Sequence, residues 1–400
     1  MRNTIIKIFA AIAVSITIPL VLECIFRLAG PQPELLDQIL SILQPDRELF
    51  WTLRPDLSVK FQQAKLTTSK DGFRTNPFPQ KLDPKETRIL VLGASPTFGW
   101  GVNDGEEWPA KIQNTLRKSG KKAMVYNVAV PGYTTFQGLK LAKRLIPKIK
   151  PQYVLIAFIL NDMDRFRFFG TDGKTDADHP VPSYLSIAIG DLRSKSRAFP
   201  QLVRLLAGLR QVEELPPPGQ RRVPPEHYLL NLKTLSELAK SQGARPIFLK
   251  EPVNLPYAND ETSQHVSQSQ LQEIKNRIRR DNIADALRQA QEIAKAHPAD
   301  PEIYRVLINA QKAAGQKKEA AKSLARLQYV SNFAGGVALK YQGLIQEAAT
   351  KTNTQLIDVA SAFEKHTGSY LYNDPVKDSF HPNAAGHELI ASLILSSVFP

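Results

Sequence analysis

The chain has 400 residues, 42% of them hydrophobic, enough to bury a sizeable core and long enough for two or three domains. Its formal net charge is +14, but Lys and Arg are spread along the whole length with no zinc-finger spacing, phosphate-cradling glycine loop or aromatic RNA motif. That argues against a nucleic-acid partner and for an anionic membrane surface or an acidic polysaccharide.

From Ile8 to Leu22 the sequence is uncharged and mostly apolar, and the run extends to Ile5 if Lys7 snorkels and to Leu28 if Glu23 sits at an interface. Arg2 and Lys7 lie on its amino side, which places the N-terminus in the cytoplasm and everything after Arg27 outside. No Ala-x-Ala-like site precedes residue 30, and the acidic Glu23 before Cys24 makes a poor lipoprotein site. Residues 1–30 therefore read as an uncleaved signal anchor, a transmembrane helix, with a cleaved signal peptide or a buried helix as the rivals. Cys24 is the only cysteine, so an intramolecular disulfide is excluded, which suits a bacterial periplasm or outer-membrane face. Residues 31–87 read as a linker and domain edge lying along the sheet surface, broken by Pro31, Pro33, Pro45, Pro55, Pro77, Pro79 and Pro84.

Strand-like and helix-like segments then alternate. Arg88–Leu92, Met124–Ala129 and Tyr153–Leu160 read as strands, with helices over Trp108–Ser119 and Thr135–Ile149 between them. The alternation resumes with a helix over His227–Gln242, a strand over Arg245–Leu249, a helix over Gly336–Thr352, a strand over Gln355–Asp358 and a last helix over Ala384–Val398. Such alternation predicts an α/β fold in three layers, a parallel sheet with helices on both faces, in a main domain formed by 88–269 and 330–400.

Two stretches interrupt the pattern. Arg165–Glu226 lacks clear periodicity, carries Phe166, Phe168 and Phe169 and ends in a Pro-rich linker over Leu215–Pro225. It is either a lid or wall of a substrate cleft or a surface excursion. Its Arg165, Arg167, Arg193, Lys195, Arg197 and the Arg221-Arg222 pair can face phospholipid headgroups or an anionic polymer. The second stretch, 270–329, places small residues where two helices must pack closely, Pro298 and Pro301 in the turn before a helix and Gly315 at the next turn. It resembles tetratricopeptide repeats, with room for about one and a half, fewer than the three or so needed to stand alone. It reads as a helical insertion leaning on the main domain, either docking a protein partner or the far end of a substrate, or bracing the fold.

The chemistry-bearing residues sit at strand ends. Arg88-Ile-Leu-Val-Leu-Gly-Ala-Ser95 ends an apolar strand on Gly93 and raises a hydroxyl at once, which is where open α/β sheets put chemistry; Ser95 is otherwise a helix N-cap. Asn127-Val-Ala-Val-Pro-Gly132 and Ile156-Ala-Phe-Ile-Leu-Asn161 end two further apolar runs. Each offers a donor at the same sheet edge, the Gly132 N–H or the Asn161 amide, while the alternatives are a turn glycine and a helix cap. Asp378-Ser-Phe-His381 stands just ahead of the last helix. There a carboxylate can hold one imidazole nitrogen and leave the other to take a proton from a hydroxyl, unless Asp378 is a turn residue and the His unrelated. His381 and His387 are six apart and lack a carboxylate or Cys set with ligand spacing, so no metal or cofactor is expected, and His387 reads as capping or packing the last helix.

These four pieces, in this order, resemble the SGNH hydrolase family, also called GDSL esterases. Asp71-Gly-Phe-Arg74, Thr97-Phe-Gly-Trp-Gly-Val102 and His381-Pro-Asn-Ala-Ala-Gly386 are similar to its membrane-anchored bacterial branch. The resemblance implies Ser95 as nucleophile, His381 as general base and Asp378 as its orienting carboxylate. It implies an oxyanion hole made by the N–H groups of Ser95 and Gly132 and the amide of Asn161. The chain departs from the family pattern at Ala94, where Asp is usual, and at Ile159, where Gly is usual; neither removes a member of the triad, and together they leave a degenerate, slow or non-catalytic member as the alternative to an active one. Ala94 keeps the turn small, and Ile159 is expected to continue an apolar strand beneath the oxyanion site.

Three functions follow as expectations. The first is an extracytoplasmic serine esterase removing an acyl group, acetyl foremost, from a glycan or lipid. The second keeps the triad but uses a sugar hydroxyl as acceptor, an O-acetyltransferase for envelope or secreted polysaccharide. The third is a non-catalytic, membrane-tethered assembly factor recruiting partners through its helical insertion.

Overall fold

The computed structural model describes residues 17–29, 35–165, 174–199, 201–202, 220–253, 266–298, 300–333, 337–368, 370–374 and 378–399. Most of the apolar run Ile8–Leu22, together with Pro31, Pro33, Phe166, Arg167, Phe168, Phe169, the start of the Pro-rich linker at 215–219 and Gly336, lies outside those residues. Among the described residues no helix is long and apolar enough to cross a membrane. The described residues divide into two compact units, one within Met1–Leu57 and Pro180–Glu213, the other within Ser58–His179 and Glu214–Pro400.

The smaller unit holds helix α1 (17–29) and helix α2 (Leu35–Ile42). An antiparallel hairpin follows, β1 (Leu43–Asp46) and β2 (Phe50–Leu53), with Pro45 paired to Trp51. Leu40, Ile42, Leu43, Leu49, Trp51 and Leu53 form its buried centre. Part of the segment expected to be a lid or excursion belongs to this unit and contributes helix α3 (Tyr184–Lys195).

The larger unit opens with a second hairpin, β3 (Ser58–Phe61) and β4 (Ala64–Thr67). Its sheet comprises β5 (Thr87–Gly93), β6 (Ala123–Asn127), β7 (Tyr153–Ala157), β8 (Arg245–Lys250) and β9 (Gln355–Asp358). They lie in the order β6-β5-β7-β8-β9, and every neighbouring pair is parallel. The runs are apolar throughout because helices cover both faces. Ile89, Val91, Val125, Leu155, Ile247 and Ile357 meet Trp108 and Ile112 of helix α4 (Trp108–Lys118) and Ile390 and Ile394 of the last helix, Ala384–Val398. Alternate residues such as Leu90, Ile156 and Phe248 are fully buried toward the other face. That face carries α5 (Thr135–Ile149), α7 (Pro225–Ser241) and Val337–Thr352.

The expected strand over Tyr153–Leu160 is three residues too long. The pairing of β7 with β5 ends at Ala157 opposite Gly93, and Leu160 already begins helix α6 (Leu160–Met163), so apolarity alone misplaced the boundary. Ile159 consequently does not continue the strand; it is the buried residue that caps α6.

Four helices fill the interruption over 270–329: α8 (Gln268–Arg279), α9 (Ile283–Ala296), α10 (Pro301–Ala313) and α11 (Lys317–Phe333). They share a core of their own, in which Ala286, Ala290 and Ala294 recur every four residues and allow close approach to Ile303 and Leu307. Asp300 ends one turn by accepting from Glu302 N at 2.7 Å and Val266 N at 2.8 Å.

Candidate active site

In the order β6-β5-β7, the chain leaves β5 to one side for β6 and crosses to the other for β7. The sheet order therefore reverses around β5, and in open parallel sheets the crevice at the carboxyl ends beside such a reversal is where ligands bind. Ser95, the Gly132 turn and Asn161 follow β5, β6 and β7 respectively.

Ser95 opens a four-residue helix, Ser95–Phe98, after Ala94 in extended conformation, so its N–H has no intrahelical acceptor. Gly93 is demanded by crowding, since a Cβ there would lie 2.5 Å from the Thr97 side chain. The turn is tied down from several sides. Arg74, 4% exposed, donates from Nη1 to Phe98 O (3.2 Å) and Gly99 O (2.6 Å) and from Nη2 to Val102 O (2.7 Å). Asn127 Nδ2 donates to Thr97 O at 3.3 Å, and Val130 N to Gly93 O at 3.3 Å.

His381 reaches this turn from a third antiparallel pair, in which Asp378–Pro382 is paired with Tyr372–Asp374. Tyr372 opposes Pro382 and Asp374 opposes Asp378, so two extra residues bulge between those pairs and break the simple alternation along the strand. His381 Nε2 lies 2.8 Å from Ser95 Oγ, and its ring stacks on Trp100 with centroids 5.0 Å apart and planes 14° apart. Asn373 Nδ2 holds Trp100 O at 2.9 Å. Asp378 sits three residues before His381 on this strand; its side chain is outside the described set.

Gly132 has φ +81° and follows Pro131, and Tyr133 N donates to Val130 O at 3.1 Å, the features of a type II turn. Arg222, expected to face anions, is instead buried with Asp176 in an ion pair at 3.0 Å and donates from Nη1 to Gly132 O at 2.7 Å. A charge withdrawn from water needs such a partner; the neighbouring Arg221 is half-buried and donates from Nη1 to Met163 O at 2.6 Å. Asn161 lies in α6, and its Nδ2 donates to Tyr133 O at 3.1 Å, joining it to the Gly132 turn.

Beneath these donors lie two buried carboxyls. Asp162 Oδ1 accepts from Thr135 N (2.9 Å) and Thr135 Oγ1 (2.5 Å), and Thr97 Oγ1 lies 3.4 Å from Glu251 Oε1. Their other oxygens, Asp162 Oδ2 and Glu251 Oε2, have no partner among the described residues. Burial pushes Asp162 up to about 7 and Glu251 up to about 8, each raised further by the charge of a neighbouring carboxylate, so both hold protons well above the ordinary carboxylate range. His387, expected to serve its own helix, accepts from Trp108 N at 3.3 Å and so caps α4; burial lowers it to about 3 and keeps it neutral.

The structure thus brings Ser95 to His381 and Asn161 to the Gly132 turn. Sequence reasoning gave no role to Trp100, Asp176 or Glu251. Glu251 had a signal, being an acid that follows the strand Arg245–Lys250 at the sheet's carboxyl edge; the Asp176–Arg222 pairing spans a separation that no local pattern reports. Among the described residues no group of three or more His, Cys, Asp or Glu is placed to hold a metal ion.

The model of the GDSL-like Lipase/Acylhydrolase family matches residues 91–389. An arylesterase of Vibrio mimicus is 32% identical over 75 residues, covering 19% of this chain and 38% of that protein. Among solved structures, a psychrotrophic esterase from Pseudoalteromonas is 12% identical with a TM-score of 0.40, covering 78% of this chain and 96% of that one. A lipase/acylhydrolase from Enterococcus faecalis is 15% identical with a TM-score of 0.39, covering 78% and 95%.

Proposed function

Since the chain belongs to the GDSL-like lipase/acylhydrolase family, we propose that it is a serine esterase removing acyl groups, acetyl foremost, from a glycan or lipid. The observation that carries this reading is the 2.8 Å contact between Ser95 Oγ and His381 Nε2 at the sheet's carboxyl edge. The short match to an arylesterase supports an ester as the substrate class.

In this reading Ser95 Oγ attacks the ester carbonyl carbon as His381 Nε2 takes the hydroxyl proton. The carbonyl π electrons move onto oxygen, and the oxyanion is met by the N–H groups of Ser95 and Gly132 and by the Asn161 amide. Collapse breaks the bond to the alcohol, which leaves with the proton from His381, and the acyl group stays on Ser95. Water, deprotonated by His381, then attacks the acyl-enzyme and returns the carboxylic acid and the Ser95 hydroxyl. Asp378 orients His381 from the same strand, and stacking on Trp100 keeps the ring from rotating away.

The apolar run Ile8–Leu22, preceded by Arg2 and Lys7, supports a membrane tether with the active site on the extracytoplasmic side. The helical insertion α8–α11 is read as the contact for a protein partner or a distant part of the substrate.

The test is covalent labelling of the protein with a fluorophosphonate serine probe. Labelling is expected in the wild type and absent in both Ser95→Ala and His381→Ala; a folded wild type that takes no label would replace this reading with a binding role.

A further inference from the structure

The apolar surface of the protein is concentrated in its smaller unit. Among the described residues, twelve of the sixteen exposed large apolar side chains belong to residues 18–28 and 181–202. Helix α3 is turned opposite to a helix on a water-facing domain. Tyr184, Leu185, Ile189 and Leu192 are 74%, 69%, 47% and 53% exposed. Leu185, Ile189 and Leu192 stand at i, i+4 and i+7, a single stripe.

The opposite side of α3 meets the unit through the half-buried Ile187, Gly190 and Asp191. A Cβ at Gly190 would lie 3.1 Å from Pro45, and Asp191 pairs with Arg54 at 3.0 Å. Helix α1 repeats the inversion: Leu20 and Leu28 are 60% and 89% exposed, whereas the charged Glu23 turns inward. Glu23 carboxylate oxygens accept from Ser196 Oγ (2.7 Å), Arg197 N (3.0 Å) and Ala198 N (3.0 Å) just beyond α3, and Arg27 Nη2 donates to Lys195 O at 2.9 Å. The two helices are therefore joined by polar contacts, and apart from the half-buried Phe26 and Ile187 their described apolar side chains are exposed.

Water is the wrong solvent for such a surface, and monomeric soluble proteins rarely expose contiguous apolar area of this kind. We infer that α3 is a second lipid-contacting element, a helix lying in the membrane interface beside α1 and inserting its Leu185–Ile189–Leu192 stripe among acyl chains. The occupant is lipid because Glu23, which follows the apolar N-terminal run in the sequence, is bonded to the residues just beyond α3. Exposed Lys195 and Arg197 at its end suit anionic headgroups. The unit then holds the enzyme to the bilayer by two elements instead of one tether. This inference rests on the membrane placement proposed above.

The test uses the full-length protein with Cys24→Ser, reconstituted into vesicles of phosphatidylcholine and phosphatidylglycerol. The environment-sensitive dye NBD is attached in turn at Leu185→Cys, Ile189→Cys, Leu192→Cys, Leu22→Cys and, as the reference on the other unit, Leu339→Cys. Doxyl-labelled lipid is expected to quench the dye at least twofold at Leu22, Ile189 and Leu192 and to leave Leu339 unaffected. Quenching at Leu22 with a water-exposed dye at 185, 189 and 192 overturns the inference while the tether stands. No quenching at any position overturns the membrane placement too. A shielded dye that doxyl lipid does not quench places a second protein copy on α3 and also overturns it. Fluorophosphonate labelling of each variant reports the active site separately, so its failure is not confused with these outcomes.

Discussion

Asn161 has two amide hydrogens, and Tyr133 O takes one at 3.1 Å, which ties the group to the Gly132 turn and leaves the other hydrogen for an oxyanion in the proposed mechanism. One oxyanion donor of this sort contributes about 3 kcal/mol to a transition state, so Asn161→Ala is expected to lower kcat by about a hundredfold with an unchanged thermal transition. A loss below tenfold removes Asn161 from the oxyanion hole. At residue scale the sequence placed Ser95, Gly132 and Asn161 where apolar runs stop, and in the structure they follow β5, β6 and β7. His381 was legible by its motif, while its ring partner Trp100 was not, because stacking at 5.0 Å depends on a turn and a distant bulged strand meeting in space.

Among the elements, the turn that carries Gly132 is held by a charge pair with almost no water around it. Removing one partner of a buried pair leaves the other uncompensated, so Arg222→Ala is expected to cost about 3–5 kcal/mol in urea unfolding, and Arg222→Ala with Asp176→Ala to cost less than the single change. A double cost equal to the sum of the two single costs would mean the pair is not coupled. Helix α5 offers a contrast. Gly→Ala within an exposed helix gains about 1 kcal/mol, but a Cβ at Gly138 would lie 2.5 Å from the Phe158 ring, and Phe158 is 1% exposed. Gly138→Ala is therefore expected to destabilise by about 1–3 kcal/mol, read from the urea midpoint at constant m, because overpacking outweighs propensity. A stabilised variant would show that Phe158 yields.

At the scale of the whole molecule, buried titratable groups shape the response to pH. The unfolded chain releases the Glu251 proton near its ordinary 4.5, whereas the folded chain keeps it to about 8, so stability falls as pH rises between those values; Asp162 adds to this limb. His387 works oppositely: the unfolded chain takes up a proton near 6.5 that the folded ring refuses until about 3, so stability falls as pH drops across that range. Between pH 4.5 and 6.5 the two carboxyls lose more stability than His387 gains, so the melting temperature is expected to peak at about pH 4 and to decline on both sides. Glu251→Gln should flatten the alkaline limb and His387→Gln the acid one; variant profiles parallel to the wild type would mean these groups do not govern the decline.

By itself the sequence determined the alternating strands and helices, the parallel sheet with both faces covered, and the three strand ends that carry Ser95, Gly132 and Asn161. These are local consequences of hydrophobic period and turn chemistry, which act over a few residues. Only the tertiary structure decided where β7 stops, since that depends on its pairing with Gly93, and only it placed His381 against Ser95 across 286 positions. It alone withdrew Arg222 from solvent and turned the apolar stripe of α3 outward. Whether an arginine is buried or a leucine exposed depends on what packs against it from far along the chain, and no local pattern records that.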